Sequence, residues 1–319
     1  MSKLKGIHNE NIKYDVDAYT NSLIKEINRL YKSINYNNIN ARDNIILDCY
    51  SSVTIEGANT TIDNIKSNKK DKSTLMASNC IKGTSEIINK NIDITTEQGL
   101  ISLWNIIVDK VCENVSVRGI KYRTGMVYVG KHTPVEDKYI QEYMNILMDY
   151  IVNSNENALI KACVAHFYFV YIHPFCDGNG RTARMLLSGI LYKNGYHNIF
   201  ATPVSNIIMN NIYHYYKSIE KAEQVVNGEL NITVHINYML EVILNSLKFI
   251  SSTVDTMEIK IFNLINKHSG AEITVKKCAN LLKINETTAR NSLNKMVLRG
   301  KLIKYKNKNT YYYRKNLID

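Results

Sequence analysis

Only three prolines, at positions 134, 174 and 203, interrupt the 319 residues of this chain. Proline removes an amide donor and breaks a helix interior, so their scarcity leaves long stretches free to coil. Apolar periodicity fills those stretches. Leu23, Ile24, Ile27, Leu30, Tyr31 and Ile34 recur at helical spacing and predict a helix over 15–36. A second helix is expected from about Asn40 to Ile55, with Ile45, Ile46, Cys49, Tyr50 and Val53 on one face. The same reasoning predicts helices over 80–92, 97–114, 136–153, 156–171, 181–194, 205–225 and 231–252, with Gly195 closing the 181–194 helix. Residues 67–79 read as a polar loop. Residues 119–134, GIKYRTGMVYVGKHTP, alternate and are punctuated by glycine, which predicts a β-hairpin. The fold class is mainly α.

The formal charge of +11 is distributed unevenly. Residues 256–319 hold 14 Lys+Arg against 4 Asp+Glu, whereas residues 1–255 hold 26 against 25. Such asymmetry marks a separate basic module. Its pattern is helix (MEIKIFNLINKH), two short helices around a turn (VKKCANLLK and NETTARNSLNKMVLRG), then two strands around a polar tip (KLIKYKNKNTYYYRK). That order is the one found in a winged helix-turn-helix. Asn285–Arg299 would be its recognition helix, with Thr287, Thr288, Arg290, Asn291 and Asn294 facing outward. Lys304, Lys306, Lys308 and Arg314 would line the wing. Duplex DNA held through its phosphates is one reading; a protein-contact or dimer-packing module with solvated lysines is the other.

No run of about 18 apolar residues occurs, so no membrane span is expected, and residues 1–20 lack the apolar stretch of a secretory leader. The six cysteines (49, 80, 112, 163, 176 and 278) are scattered without a CxxC pair. They read as reduced thiols in a cytoplasmic chain.

The run His173-Pro-Phe-Cys-Asp-Gly-Asn-Gly-Arg-Thr-Ala-Arg184 carries chemistry. Gly178, Asn179 and Gly180 precede a helix, so their amides and the helix N-terminus form an anion cradle. Arg181 and Arg184 fall on one face of that helix, and guanidinium forks suit phosphate oxygens. Asp177 supplies one oxygen of the kind that holds Mg²⁺ beside phosphates. His173 suits a general base, and Phe175 an inward anchor. The run matches neither the Walker A pattern nor the dinucleotide fingerprint.

This run resembles the signature of the Fic family, HxFx[DE]GNGRxxR, with every specified position filled. The resemblance extends over roughly residues 40–250. It implies a Fic-type helical bundle with a β-hairpin flap, followed by the winged helix. The implied organisation is an N-terminal helical region over 1–95, a catalytic core over 96–252 and the basic module over 256–319. It implies a protein adenylyltransferase that moves AMP from ATP to a Ser, Thr or Tyr hydroxyl of a target protein. His173 would deprotonate the hydroxyl, and Asp177 would hold Mg²⁺ at the α- and β-phosphates. The Gly178–Gly180 loop and Arg181 would bind those phosphates, and Arg184 the γ-phosphate. The segment 122–134 resembles the family's flap, with Val127 and Val129 alternating as strand residues, and Val129, Gly130, Lys131 and His132 near ATP. Tyr215 or Tyr216 falls where the family's adenine pocket takes an aromatic ring. A homodimer through the core is also implied.

Ser52 and Glu56, in Ser51-Ser-Val-Thr-Ile-Glu-Gly57, are spaced i, i+4 and share a helix face. In a Fic-like chain they match the inhibitory motif [ST]xxxE[GN], here ahead of the catalytic run. Glu56 would then pair with Arg184 and keep it from the γ-phosphate. Other readings stay open: removal of AMP assisted by Glu56, transfer of a different phosphate-bearing group, or a DNA-binding regulator whose core only senses nucleotide.

Overall fold

The computed structural model describes residues 4–36, 39–112, 122–127, 132–254, 257–267, 272–298 and 300–316. They form two compact units, one over Met1–Tyr36 and Asn40–Leu247, the other chiefly over Lys248–Asp319.

The first unit is helical. Its helices are α1 (Ala18–Ser33), α2 (Ala41–Ile55), α3 (Ile62–Lys66), α4 (Lys72–Ile88), α5 (Glu97–Val108), α6 (Ile140–Asn153), α7 (Ala158–Ile172), α8 (Asn179–Lys193), α9 (Val204–Asn210), α10 (Ile212–Ala222) and α11 (Thr233–Val254). Side-chain caps set several of the starts. Asp17, Asn40, Asp71 and Thr96 each accept an amide proton from the first turn of α1, α2, α4 and α5, a contact worth about 1 kcal/mol.

The expected polar loop at 67–79 is overturned by one of these caps. Asp71 accepts from the Thr74 amide at 2.9 Å, and the chain is helical from Lys72 onward. Lys72 is the exposed residue of that first turn, while Thr74 is buried with its hydroxyl 2.8 Å from that of Thr60. The single helix expected over 205–225 is also corrected. Asn211 leaves the helical region (φ −141°, ψ 46°) and separates α9 from α10. Asparagine side chains compete with the helical ladder, which explains a break at this residue type.

A small sheet was not foreseen. Strands β1 (Asn11–Lys13), β2 (Val225–Val226) and β3 (Glu229–Asn231) lie in the order β1-β3-β2. β1 runs parallel to β3, with Asn11 opposite Glu229, and β2 pairs antiparallel with it. Asn227 and Gly228, both at positive φ (53° and 76°), turn the β2–β3 hairpin, as two-residue hairpin loops require.

α7 is the axis of this unit. From Leu159 to Ile172 every residue but Val170 is buried, and a helix apolar all round belongs at a core centre. α8 packs along it and is buried from Arg181 to Leu191. α2, α3 and α4 share a satellite core of Ile46, Cys49, Val53, Ile65, Ala77 and Cys80.

The second unit holds α12 (Met257–Lys267), β4 (Glu272–Ile273), α13 (Val275–Leu282), α14 (Glu286–Leu298), β5 (Leu302–Asn307) and β6 (Thr310–Lys315). β6 lies between β4 and β5, antiparallel to both. Ile261, Ile265, Ile273, Cys278, Leu293, Met296, Leu302 and Tyr313 fill its core. The three helices and the hairpin follow the expected order, and β4 is an addition. All six cysteines are free. Among the described residues no helix is long and apolar enough to cross a membrane.

Candidate active site

The turn from α7 to α8 presents the signature run. The residue ahead of Pro174 is disfavoured in the helical region. His173 takes neither the helical nor the extended region usual before proline but a left-handed conformation (φ 51°), while its amide still donates to Phe169 O at 3.0 Å. That geometry costs a non-glycine residue about 1 kcal/mol, and it turns the imidazole out of the helix.

Phe175 is the anchor. Its ring stacks flat on Trp104, with centroids 4.3 Å apart and planes 7° from parallel. Trp104 Nε1 donates to Asp177 O at 2.8 Å. Asn179 brackets the loop, accepting from Phe175 N at 2.9 Å and donating to Phe175 O at 2.7 Å. Its side chain is therefore consumed in holding the loop, and only its backbone amide is left for a ligand. Gly178 sits at φ 78°, and a Cβ there would come within 3.1 Å of Val108.

Asp177 and Arg181 form one half of the site. Asp177 Oδ1 accepts from the Gly178 amide at 2.6 Å and from Arg181 Nη2 at 2.9 Å. Arg181 is 1% exposed, yet its Nε and Nη1 have no hydrogen-bond partner. Buried guanidinium donors without an acceptor cost free energy, about 1–3 kcal/mol each. They are what an anion-binding loop looks like ahead of its anion. The described residues hold no cluster of three or more His, Cys, Asp or Glu fit to cage a metal. A lone carboxylate beside an arginine with two unpartnered N–H groups fits Mg²⁺ carried in with phosphate oxygens.

Arg184, Ser52 and Glu56 form the other half. Arg184 Nε donates to Ser52 Oγ at 2.9 Å, and Nη2 donates to Ser52 O at 2.8 Å and to Glu56 Oε1 at 2.7 Å. Burial alone would lower the Arg184 pKa, but Glu56 and the Tyr215 hydroxyl reverse this and raise it above its ordinary value. Glu56 is 30% exposed, so its pair is not fully desolvated. Its carboxylate lies over the helix N-terminus, since a Cβ on Gly180 would approach Glu56 Oε1 to 2.3 Å.

The Arg184 half borders a cavity of about 520 Å³ lined by Glu56, His132, His173, Gly180, Arg184, Tyr215, Tyr216 and Glu223 among others. Desolvation lowers the His173 pKa to about 4, with His132 and Arg123 adding to it and the Val170 carbonyl opposing it. The imidazole is neutral at pH 7. Its Nδ1 faces Val170 O at 3.3 Å; a carbonyl only accepts, so the proton sits on Nδ1 and Nε2 is left as a base. His132 is engaged within the protein, with Nε2 at 2.8 Å from Tyr171 O and Nδ1 at 3.3 Å from Glu223 Oε1. Tyr215 is buried at the cavity wall and Tyr216 is exposed. The flap residues Val129, Gly130 and Lys131 lie outside the described residues, and the described stretch around them, with Val127, holds no strand.

Arg123 went unnoticed in the sequence. It is buried, and its Nε donates to His173 O at 2.8 Å, Nη1 to Gly125 O at 2.6 Å, and Nη2 to Val135 O. Its own amide donates to Pro174 O at 2.9 Å. One side chain thus ties the turn after α7 to the segments around Gly125 and Val135. No local pattern announces a loop arginine of this kind. In the second unit Thr287, Thr288, Arg290, Asn291, Lys304, Lys306, Lys308 and Arg314 are exposed as expected. Asn294 is not free, because its Oδ1 accepts from Lys304 Nζ at 3.2 Å and from the Tyr313 hydroxyl at 3.0 Å.

Residues 95–191 match the Fic/DOC family. A stretch of 79 residues is 43% identical to protein adenylyltransferase fic-1 of Caenorhabditis briggsae, covering 24% of this chain and 16% of that one. A stretch of 114 residues is 33% identical to protein adenylyltransferase Fic of Aedes aegypti, covering 34% of this chain and 22% of the relative. The matches thus span well under a third of these curated relatives. Among solved structures, a Fic family protein from Desulfovibrio desulfuricans G20 superposes over 96% of this chain and 98% of its own, with TM-score 0.67 and 20% identity. Fic-1 (residues 134–508) from C. elegans covers 76% and 74%, with TM-score 0.61 and 18% identity.

Proposed function

We propose that this chain, which carries a Fic domain over residues 95–191, is a protein adenylyltransferase restrained by its own Glu56. The observation that carries the reading is the convergence of His173, Gly180, Arg184 and Glu56 on one cavity. ATP would lie with its α- and β-phosphates on the α8 N-terminus and Arg181, whose two unpartnered N–H groups would gain acceptors. Mg²⁺, held by Asp177, supplies charge neutralisation on those phosphates when bound. His173 Nε2 takes the proton of the acceptor hydroxyl as its oxygen bonds to the α-phosphorus, and the bond to the β-phosphate oxygen breaks to release pyrophosphate. The polyanion beside His173 raises its proton affinity from the low value of the free site. The rest of the catalysis is positioning and charge stabilisation.

Restraint follows from the same geometry. Glu56 occupies a guanidinium nitrogen that the γ-phosphate would take. Ser52 holds the same arginine through two further bonds. The test is to label protein with α-labelled ATP using the wild-type chain, Glu56→Gly and His173→Ala side by side. Glu56→Gly should label at least tenfold more than wild type, and His173→Ala should label nothing. Equal labelling by wild type and Glu56→Gly rejects the restraint; labelling that survives His173→Ala rejects the catalytic reading. Loss of AMP from labelled target, dependent on Glu56, would mark the reverse reaction instead.

The second unit supports a further reading as a winged helix that binds duplex DNA. The exposed Arg290 and Asn291 on α14 and Lys304, Lys306 and Lys308 on the β5–β6 hairpin favour it. The reduced cytoplasm is the proposed location, in keeping with six free thiols.

A further inference from the structure

A second set of contacts holds Arg184, and most of its members lie outside the signature. The Tyr215 hydroxyl lies close enough to the guanidinium to help raise its pKa. That hydroxyl lies 3.2 Å from His166 Nε2. His166 Nδ1 lies 3.1 Å from His235 Nε2. His235 Nδ1 lies 2.9 Å from Ser218 Oγ. Ser218 Oγ donates to the Tyr215 carbonyl at 2.7 Å, closing the chain on α10 where it began. All four side chains are buried.

The proton directions are determined. Arginine only donates, so the Tyr215 oxygen can offer Arg184 only its lone pairs and gives its own proton to His166 Nε2. His166 must then be neutral with its proton on Nδ1, donated to His235 Nε2. His235 must carry its proton on Nδ1, donated to Ser218. The Ser218 hydroxyl is already committed to a carbonyl, which cannot donate back. Each donor therefore has one acceptor and each ring one tautomer. Burial lowers both imidazoles, and for His166 the neighbouring His235 and Arg184 add to this, so the neutral forms persist at pH 7. A buried polar chain satisfied throughout is stiff.

We propose that the Tyr215–His166–His235–Ser218 chain is a positioning relay that keeps Arg184 aimed at the terminal phosphate of the nucleotide whether or not Glu56 is in place. This rests on the nucleotide-transfer reading above and adds how its arginine is set. When Glu56 lets go, Arg184 keeps its two bonds to Ser52 and the Tyr215 hydroxyl beside it. The arginine does not swing; Glu56 and phosphate exchange at a fixed cation. His166 and His235 act through Tyr215, so they are positioning residues.

The test uses the full chain in the Glu56→Gly background, with ATP and AMP binding measured by calorimetry. AMP lacks the phosphate that Arg184 would meet. His166→Leu should weaken ATP about tenfold, the scale of one hydrogen bond to a charged group, and leave AMP unchanged. His166→Gln keeps an acceptor near the Nε2 position and should recover most of the loss. His235→Asn, one link farther out, should cost less than His166→Leu. If His166→Leu fails to fold, Tyr215→Phe removes only the hydroxyl and should show the same ATP-specific loss. Equal weakening of ATP and AMP, equal behaviour of Leu and Gln at 166, or unchanged ATP affinity overturns the relay. If Glu56→Gly itself binds no ATP, the nucleotide reading falls first and takes the relay's role with it.

Discussion

The two arginines of the signature sit three residues apart on α8 and live in opposite circumstances. Arg184 donates to Ser52 and to Glu56. Arg181 is as deeply buried but leaves Nε and Nη1 unpartnered. Both arginines meet a carboxylate, but only Arg181 keeps buried N–H groups without an acceptor. A helix N-terminus and a buried cation attract any anion. Filling only the distal position would restrain the proposed reaction without losing the proximal cradle.

The sharpest way to break this comparison is Arg181→Met. It removes the two unsatisfied donors at similar volume. In the absence of nucleotide it should raise the melting temperature by a few degrees, since unpaired buried donors cost about 1–3 kcal/mol. Label transfer should fall more than about 100-fold, the scale of losing an electrostatic contact to a transferring phosphate. A variant that both melts lower and transfers normally would show that Arg181 is structural.

Glu56→Gly is the complementary case. It leaves Arg184 buried without its carboxylate. Breaking a buried pair costs about 3–5 kcal/mol, and the partial exposure of Glu56 reduces this to about 1–3 kcal/mol. Thermal melting should drop accordingly, and ATP should restore more stability to this variant than to wild type. Equal rescue of both would mean that Glu56 and nucleotide do not compete.

Acid sharpens the same contrast from the histidine side. The folded pKa of His235 is pushed down to about 3 from 6.5 by burial. The unfolded chain therefore takes up a proton near pH 6.5 that the folded chain refuses. Stability is full above pH 6.5 and falls as pH drops toward 3, by somewhat more than ~1 kcal/mol per pH unit. His173, lowered to about 4, acts in the same direction. Urea midpoints between pH 7 and 4.5 should show this slope, and His235→Gln should flatten it.

The smallest effect concerns the second unit. The double change Arg290→Glu and Lys306→Glu should weaken duplex retention at low salt and lower the salt slope by about two. It should leave transfer by the first unit unchanged. Retention that ignores salt would argue against phosphate contacts.

How much was legible in advance differs between elements. α7 and α8 were readable because continuous apolar residues and a terminal Gly195 are local signals. The Lys72 start of α4 was missed because a polar first turn looks like a loop until Asp71 is seen capping it. The β2–β3 hairpin carried a usable signal in Asn227-Gly228, hidden between two long helices. The partner of that hairpin, β1, lies more than two hundred residues away, and short polar strands paired over such a distance leave no periodic trace. Arg123 and His166 belong to the same class. Each is an ordinary residue type whose importance lies in what surrounds it.

The sequence by itself determined the helical class and the chemistry of the turn after α7, because both depend on residues close together in the chain. The spacing of Ser52 and Glu56 marked one helix face. Only the tertiary structure decided that this face meets Arg184 rather than solvent, that two nitrogens of Arg181 stay unpartnered, and that a pair of neutral histidines stands behind Tyr215. Those facts depend on contacts across 49 to 132 positions of sequence. Packing of α2, α7, α8, α10 and α11 brings them together, and burial then sets which charges are paired and which are left waiting.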